Sequence, residues 1–229
     1  MQIGIDLDNT IANYSNSFLY LAKKFGYISK NWQGSKSEIK QNLIFENKGE
    51  KNWQKLQGQV YGPYMKKAEL YDGFESFLKR SRINNVNVYI ISHKTKFGHF
   101  DQTKTPLREV ALEWLKEKNI VGTKTNEIPE KNVYFLSNRK DKIDKIESLN
   151  LDYFIDDLYE ILLEIKTSRI KKILFKNIPI NKNNKITYLN SWFEISKYIF
   201  GDLNIKELDK IIKKIKNDKI INFSEIKKG

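Results

Sequence analysis

Met1-Gln2-Ile3-Gly4-Ile5-Asp6-Leu7-Asp8-Asn9-Thr10 opens the chain with a short apolar run that stops on two carboxylates spaced i, i+2. Side chains two apart on a strand point to the same side. Asp6 and Asp8 are therefore expected to emerge together at the carboxyl end of a buried strand, the edge where open α/β sheets bind ligands. Neighbouring carboxylates repel one another and are costly to bury unneutralised. Mg²⁺, a cation that prefers oxygen ligands, would neutralise them. A solvated Asp-x-Asp turn is the alternative.

Two later apolar runs end on polar groups of the same kind. Val86-Asn87-Val88-Tyr89-Ile90-Ile91 is rich in β-branched residues and stops at Ser92. Tyr153-Phe154-Ile155 closes on Asp156-Asp157, and between the two runs Lys142 opens a helical segment that reaches Leu149. The order Asp-x-Asp-x-Thr, strand ending in Ser, Lys, strand ending in Asp-Asp resembles the four signature motifs of the haloacid dehalogenase (HAD) superfamily of phosphohydrolases and phosphotransferases. The resemblance covers about residues 1–175. It implies an α/β fold with a Rossmann-like, mostly parallel sheet.

The chemistry these residues can do follows from phosphoryl transfer, which rests on positioning and on neutralising negative charge. Asp6 can attack phosphorus as a nucleophile, provided that a metal and Lys142 screen the approach of two anions. A leaving alkoxide needs a proton donor, for which Asp8 is placed; the same group can then act as the base that activates water. Ser92 can donate to a phosphoryl oxygen, and Asp156 and Asp157 complete a metal shell. The resemblance implies the same roles, with Mg²⁺ held by Asp6, the backbone carbonyl of Asp8, and the acidic pair through Asp157. Dehalogenase-type members lack an acid at the position of Asp8, so its presence favours phosphoester chemistry over carbon–halogen cleavage.

On the substrate side the expected residues are Thr10, His93 and Arg139. Thr10 fits the last position of the first motif, where it would fix Asp6 or Asp8 by a local hydrogen bond. Otherwise it is a turn residue. His93 and His99 lie in the polar loop after Ser92, in reach of a substrate or simply in the loop. Lys140, Lys142 and Lys145 share one segment; Ile143 and Ile146 mark its buried face, which selects Lys142 and leaves Arg139 facing an anion.

Composition narrows the setting. A length of 229 residues with 40% hydrophobic and 30% charged residues suits a globular protein with a sizeable core. There is no Cys, which excludes disulfides, thiolate metal sites and cysteine nucleophiles. No signal peptide and no run of roughly 18 apolar residues is present, so a cytoplasmic location is expected. The net charge of +13 could suggest nucleic acid, yet only Arg80, Arg82, Arg108, Arg139 and Arg169 among 41 basic residues are Arg. Base-edge and bidentate phosphate recognition lean on Arg, so the charge is read as a field that draws in small anions. Nothing in the sequence specifies an oligomeric state.

The expected organisation is a HAD-like core of residues 1–13 and 73–202, a helical cap at 14–72, and a basic amphipathic tail at 203–229. In the insertion, Phe18, Leu21, Ala22 and Phe25 recur at helical spacing, as do Trp53, Leu56, Val60 and Tyr64. Residues 29–49 read as polar chain with scattered apolar anchors, and 11–80 as free of strands. Some 55 residues exceed what a crossover requires. The resemblance implies a lid over the site, an elaborated crossover being the alternative. Tyr61, Tyr64, Lys66 and Lys67 are its candidate substrate contacts. The tail's Ile face would pack on its own domain, or bind a membrane surface or a partner. The reading that unites these features is an Mg²⁺-dependent phosphatase acting on a small phosphomonoester. The alternatives are an enzyme acting on nucleic-acid ends and a non-catalytic binding protein on the same scaffold.

Overall fold

The computed structural model describes residues 1–45, 48–98, 100–176 and 184–202; His99 and the expected tail at 203–229 lie outside them. Six parallel strands form the central sheet: β1 (Gln2–Ile5), β4 (Asn87–His93), β5 (Val133–Leu136), β6 (Tyr153–Asp156), β7 (Lys171–Phe175) and β8 (Ile186–Leu189), in the spatial order β5-β4-β1-β6-β7-β8. The chain runs from β1 to β4 and β5 on one side, then returns to β6, β7 and β8 on the other. β1 is therefore the strand at which the order reverses.

Both faces are covered, which is why the strands read as nearly continuous apolar runs rather than as alternating ones. On one face α4 (Phe74–Ile83), α5 (Leu107–Glu117) and α8 (Trp192–Phe200) bury Phe74, Phe77, Trp114 and Trp192 against Ile3, Ile5, Val88 and Ile155. On the other, α6 (Arg139–Ser148) and α7 (Tyr159–Glu164) bring Ile143, Ile146, Ile161 and Leu162 onto Ile91, Phe154 and Leu174. Gly4 belongs to this second face. A Cβ there would stand 2.6 Å from Leu151 Cδ1 and 2.8 Å from Phe154 Cδ2, so β1 lies this close to its neighbours only as glycine.

Between β1 and β4 the chain builds α1 (Ser15–Lys24), α2 (Lys36–Ile44) and α3 (Gly49–Tyr61). Two short strands mark where this insertion leaves and rejoins the core: β2 (Ala12–Asn13) pairs antiparallel with β3 (Glu69–Leu70). The expectation that 11–80 holds no strand is corrected here, since two-residue strands have no sequence period to read. α2 corrects the reading of 29–49 as irregular. Its start is a capping box, in which the Ser35 hydroxyl accepts from the Glu38 N–H and the Glu38 carboxylate accepts from the Ser35 N–H. The apolar residues of the insertion, Phe18, Ile39, Leu43, Trp53 and Leu56, continue the core of the α4/α5/α8 face without a break.

Smaller differences have local causes. α6 starts at Arg139, three residues before the expected Lys142, because the Asn138 side chain caps it by accepting from the Asp141 N–H at 2.8 Å. Pro106 stands at the N-cap of α5. Gly4→Ala should lower unfolding free energy by about 1–3 kcal/mol, the usual cost of overpacking a rigid core. Urea denaturation checks this, and an unchanged midpoint would contradict the close packing described.

Candidate active site

β4, β1 and β6 stand side by side, and the crevice beyond their carboxyl ends lies at the switch point where parallel sheets take ligands. A cavity of about 630 Å³ opens there. Asp6, Asp8, Ser92, His93, Arg139, Lys142 and Asp157 line it from the core, and Lys36, Lys40, Trp53, Gln57 and Tyr61 from the insertion.

Asp6 follows the last residue of β1, and its N–H donates to the Ile155 carbonyl at 2.9 Å, which extends the ladder to β6. Its carboxylate is 5% exposed. Lys142, in the first turns of α6 and 1% exposed, donates from Nζ to Asp6 Oδ1 at 2.6 Å and to Asp156 Oδ2 at 2.7 Å. Asp156 Oδ1 accepts the Leu158 N–H at 2.8 Å. Asp6, Asp156 and Asp157 each offer an oxygen within 4.8 Å of the others.

Lys142 thus pairs with two of the three clustered carboxyl groups, more acid than one ammonium can neutralise. Burial, and after it repulsion from Asp156 and Asp8 against the pull of Lys142, raises the Asp6 carboxyl to about 7. Burial together with repulsion from Asp6 and Asp156 raises Asp157 to about 8. Burial alone would lower the Lys142 ammonium, but Asp156 and Asp6 outweigh it and raise it. The donor set is all oxygen and short of positive charge, so the residues present fit a hard divalent cation.

Asp8 shares the cavity with Asp6 but not its partners. β1 ends at Ile5, and Asp8 sits in the following turn, bridged to Ala12; strand alternation therefore does not set the two side chains. The Lys94 ammonium donates to Asp8 at 2.9 and 3.1 Å, and the Tyr14 hydroxyl donates at 2.6 Å. The Asp8 carboxylate thus stands apart from the acidic cluster, which leaves its backbone carbonyl as the group it could offer a metal. Lys94, only 3% exposed, was missed in the sequence. The signal was a Lys two residues past the strand-end Ser92, in a loop beside the site.

The other expected residues divide. Ser92 lies within β4 rather than after it, 1% exposed, with no hydrogen-bond partner for its hydroxyl among the described residues. His93 is exposed on the cavity wall, with Nε2 3.1 Å from the Ser137 carbonyl oxygen. Arg139 lines the cavity while pairing with Glu164 at 2.8 Å. Thr10 does not line it: the residue is fully buried, and its hydroxyl bonds to neither Asp6 nor Asp8. Its carbonyl instead accepts from Trp192 Nε1 at 3.0 Å, which ties the turn to α8. Lys140 pairs with Asp144, and Lys145 lies over the Tyr134 ring, so of the three lysines Lys142 alone meets the acidic cluster.

In the insertion, Tyr61 reaches the cavity. Tyr64, Lys66 and Lys67 turn away, toward Lys24, Glu117 and the Tyr20 ring respectively. Lys36, Lys40, Trp53 and Gln57 were not foreseen. The capping box at Ser35 would have revealed the helix that carries Lys36 and Lys40.

The fold is that of the HAD superfamily. A HAD-superfamily hydrolase of subfamily IA, variant 1, from Geobacter sulfurreducens PCA matches with a TM-score of 0.52 at 8% identity, over 86% of this chain and 95% of the other. The crystal structure of a dehalogenase with an intermediate complex matches with a TM-score of 0.52 at 8% identity, over 88% of this chain and 97% of that one. In sequence, the chain is 26% identical over 191 residues to an Oceanobacillus iheyensis protein named "Putative nucleotidase", spanning 81% of this chain and 91% of the relative. No family model matches the chain. Among the described residues no helix is long and apolar enough to cross a membrane.

The charge imbalance yields a prediction. Mg²⁺ at a hundredfold excess over its Kd should raise Tm by roughly 5–10 °C. Asp157→Asn should remove that shift while leaving the metal-free Tm at or above the wild-type value, because it deletes a carboxylate that its neighbours repel. Differential scanning fluorimetry with Mg²⁺ or with chelator reads both. A metal-free variant much less stable than wild type would contradict the imbalance.

Proposed function

We propose that the protein is an Mg²⁺-dependent phosphatase that hydrolyses a small phosphomonoester through an aspartyl-phosphate on Asp6. The observation that carries this reading is the separation of the two first-motif carboxylates. Asp6 is held by Lys142 in an acidic cluster short of positive charge. Asp8 is held outside it by Lys94 and Tyr14, on the same cavity. One carboxylate can then attack while the other moves protons.

In the first step an Asp6 oxygen attacks phosphorus, the bond to the leaving oxygen breaks, and that oxygen takes a proton from Asp8. In the second, Asp8 removes a proton from water, the water oxygen attacks the aspartyl-phosphate, and the bond to Asp6 breaks to release inorganic phosphate. The unpartnered Ser92 hydroxyl and the Lys142 ammonium donate to the transferring oxygens. Asp6, Asp156, Asp157 and the Asp8 carbonyl would hold Mg²⁺, whose bound charge offsets repulsion between the carboxylates and the phosphate dianion. His93 and Arg139 border the substrate.

The insertion at 14–72 serves as a lid in this reading, because its α2 and α3 form one wall of the cavity. A cavity of this size suits a metabolite. Sugar phosphates and nucleoside monophosphates are the leading substrates, and the name of the Oceanobacillus relative favours the latter. A binding protein on an inert scaffold is the weaker reading, since each side chain the chemistry needs at positions 6, 8, 92 and 142 is present.

Phosphate release from a panel of phosphorylated metabolites should reveal turnover that stops in chelator and returns with Mg²⁺. Asp6→Asn should abolish both turnover and the trapped phosphoenzyme. Asp8→Asn should still form phosphoenzyme from an ester with a good leaving group but hydrolyse it slowly. Labelled phosphate on any residue other than Asp6 would overturn the mechanism.

Salt separates metabolite from polynucleotide. kcat/KM for a metabolite should fall modestly as salt rises, with kcat nearly constant. Binding to DNA or RNA ends would fall by orders of magnitude, at about 0.7–0.9 in log–log slope per phosphate contacted.

A further inference from the structure

The cations in the cavity, and Lys94 beside it, differ in how they are used. Lys142 is bonded to Asp6 and Asp156, Lys94 to Asp8, and Arg139 to Glu164. These three belong to the core, and each has a carboxylate. The two lysines that the insertion contributes, Lys36 and Lys40, form no ion pair among the described residues.

Lys36 is largely withdrawn from solvent yet is met only by neutral groups. Nζ donates to Asn9 Oδ1 at 3.0 Å and to the Tyr61 hydroxyl at 3.2 Å, and lies 4.6 Å from the centre of the Phe18 ring. Burial lowers its pKa; the carboxylates that act against this, Asp157 and Asp8, do so without pairing with it. A buried ammonium without a counter-ion is costly. Lys40 follows one helical turn later at the exposed mouth, 5.9 Å from the Trp53 ring centre. Residues i and i+4 lie about 5–6 Å apart at Cβ on one face, a spacing that lets two ammonium groups converge on one oxygen-rich anion. The pair is held close to the core, because Ile39 and Leu43, at i+3 and i+7 from Lys36, bury the same side of α2 and the Ser35–Glu38 box caps its start.

The position of the pair decides which anion it meets. A phosphoryl group under attack must touch Asp6, beside Lys142 and Ser92. Lys36 is anchored instead to Asn9, the residue after Asp8, and Asp8 is the group assigned to the leaving oxygen. We propose that Lys36 and Lys40 form a second anion subsite, and that the physiological substrate is a phosphomonoester whose leaving group carries a further carboxylate or phosphate. This rests on the phosphatase reading above and, among its substrates, favours esters such as sugar bisphosphates over nucleoside monophosphates, whose leaving nucleoside carries no second anion. An ester with a neutral leaving group would leave the subsite unfilled and the Lys36 charge uncompensated.

Matched esters test the proposal. Phosphoglycolate against ethyl phosphate probes a carboxylate, and 1,3-propanediol bisphosphate against propyl phosphate probes a phosphate. In the wild-type protein with Mg²⁺, kcat/KM for at least one doubly anionic ester should exceed that of its partner by about tenfold, the factor that about 1.4 kcal/mol of charge-assisted hydrogen bonding produces. Lys40→Gln, at an exposed position, and Lys36→Gln should each bring the ratio toward one. A wild-type ratio near one for both pairs, or variants that slow both members of a pair equally, would overturn the subsite. If no ester is turned over, the phosphatase reading fails by itself. Calorimetric titration of phosphoglycolate and ethyl phosphate into the wild-type and Lys40→Gln proteins then decides the subsite. Binding of phosphoglycolate that is about tenfold tighter, and lost in the variant, sustains it; equal binding ends it.

Discussion

One ammonium group holds the centre of this molecule together. Lys142 reaches from α6 to Asp6 behind β1 and to Asp156 at the end of β6, joining three elements at the edge where the strand order reverses. Removing one partner from such a buried pair costs about 3–5 kcal/mol, because the charges left behind are unpaired. The contact therefore fixes the positions of both carboxylates. It also leaves the cluster short of positive charge, the kind of donor set that a hard divalent cation suits.

The rest of the architecture distributes charge around this point. The sheet delivers its polar strand ends to one edge because all six of its strands run parallel, with helices covering both faces. Asp8 escapes the cluster through the turn after β1, where Lys94 and Tyr14 hold it. The insertion closes the opposite wall and shares an apolar core with the sheet, so its lysines face the cavity from a fixed position. Asp6, Asp8 and the insertion's lysines thereby occupy separate stations around one cavity.

Much of this was legible in the sequence because apolar runs ending on Asp, Ser and Asp-Asp are local signals that survive without tertiary information. The buried face marked by Ile143 and Ile146 favoured Lys142 over Lys140 and Lys145, and of the three Lys142 is the one that meets Asp6 and Asp156. Other features depended on contacts between distant segments. Lys94 looks like any loop lysine until the fold brings Asp8 to it. Thr10 matched a motif position, yet its hydroxyl is buried away from both acids while Trp192, 182 residues later, takes its carbonyl. α2 was hidden by its polar composition, although the Ser35-x-x-Glu38 box was there to be read. The two-residue strands β2 and β3 are too short for any period.

Binding of inorganic phosphate with and without Mg²⁺, followed by calorimetry, tests the central claim most directly. If the cluster of Asp6, Asp156 and Asp157 is short of positive charge, phosphate should bind measurably only when Mg²⁺ is present. Phosphate should then tighten Mg²⁺ binding by the same factor that Mg²⁺ tightens phosphate binding. Phosphate binding of equal strength in chelator would contradict the account, because it would mean that Lys142 and its neighbours already balance the site.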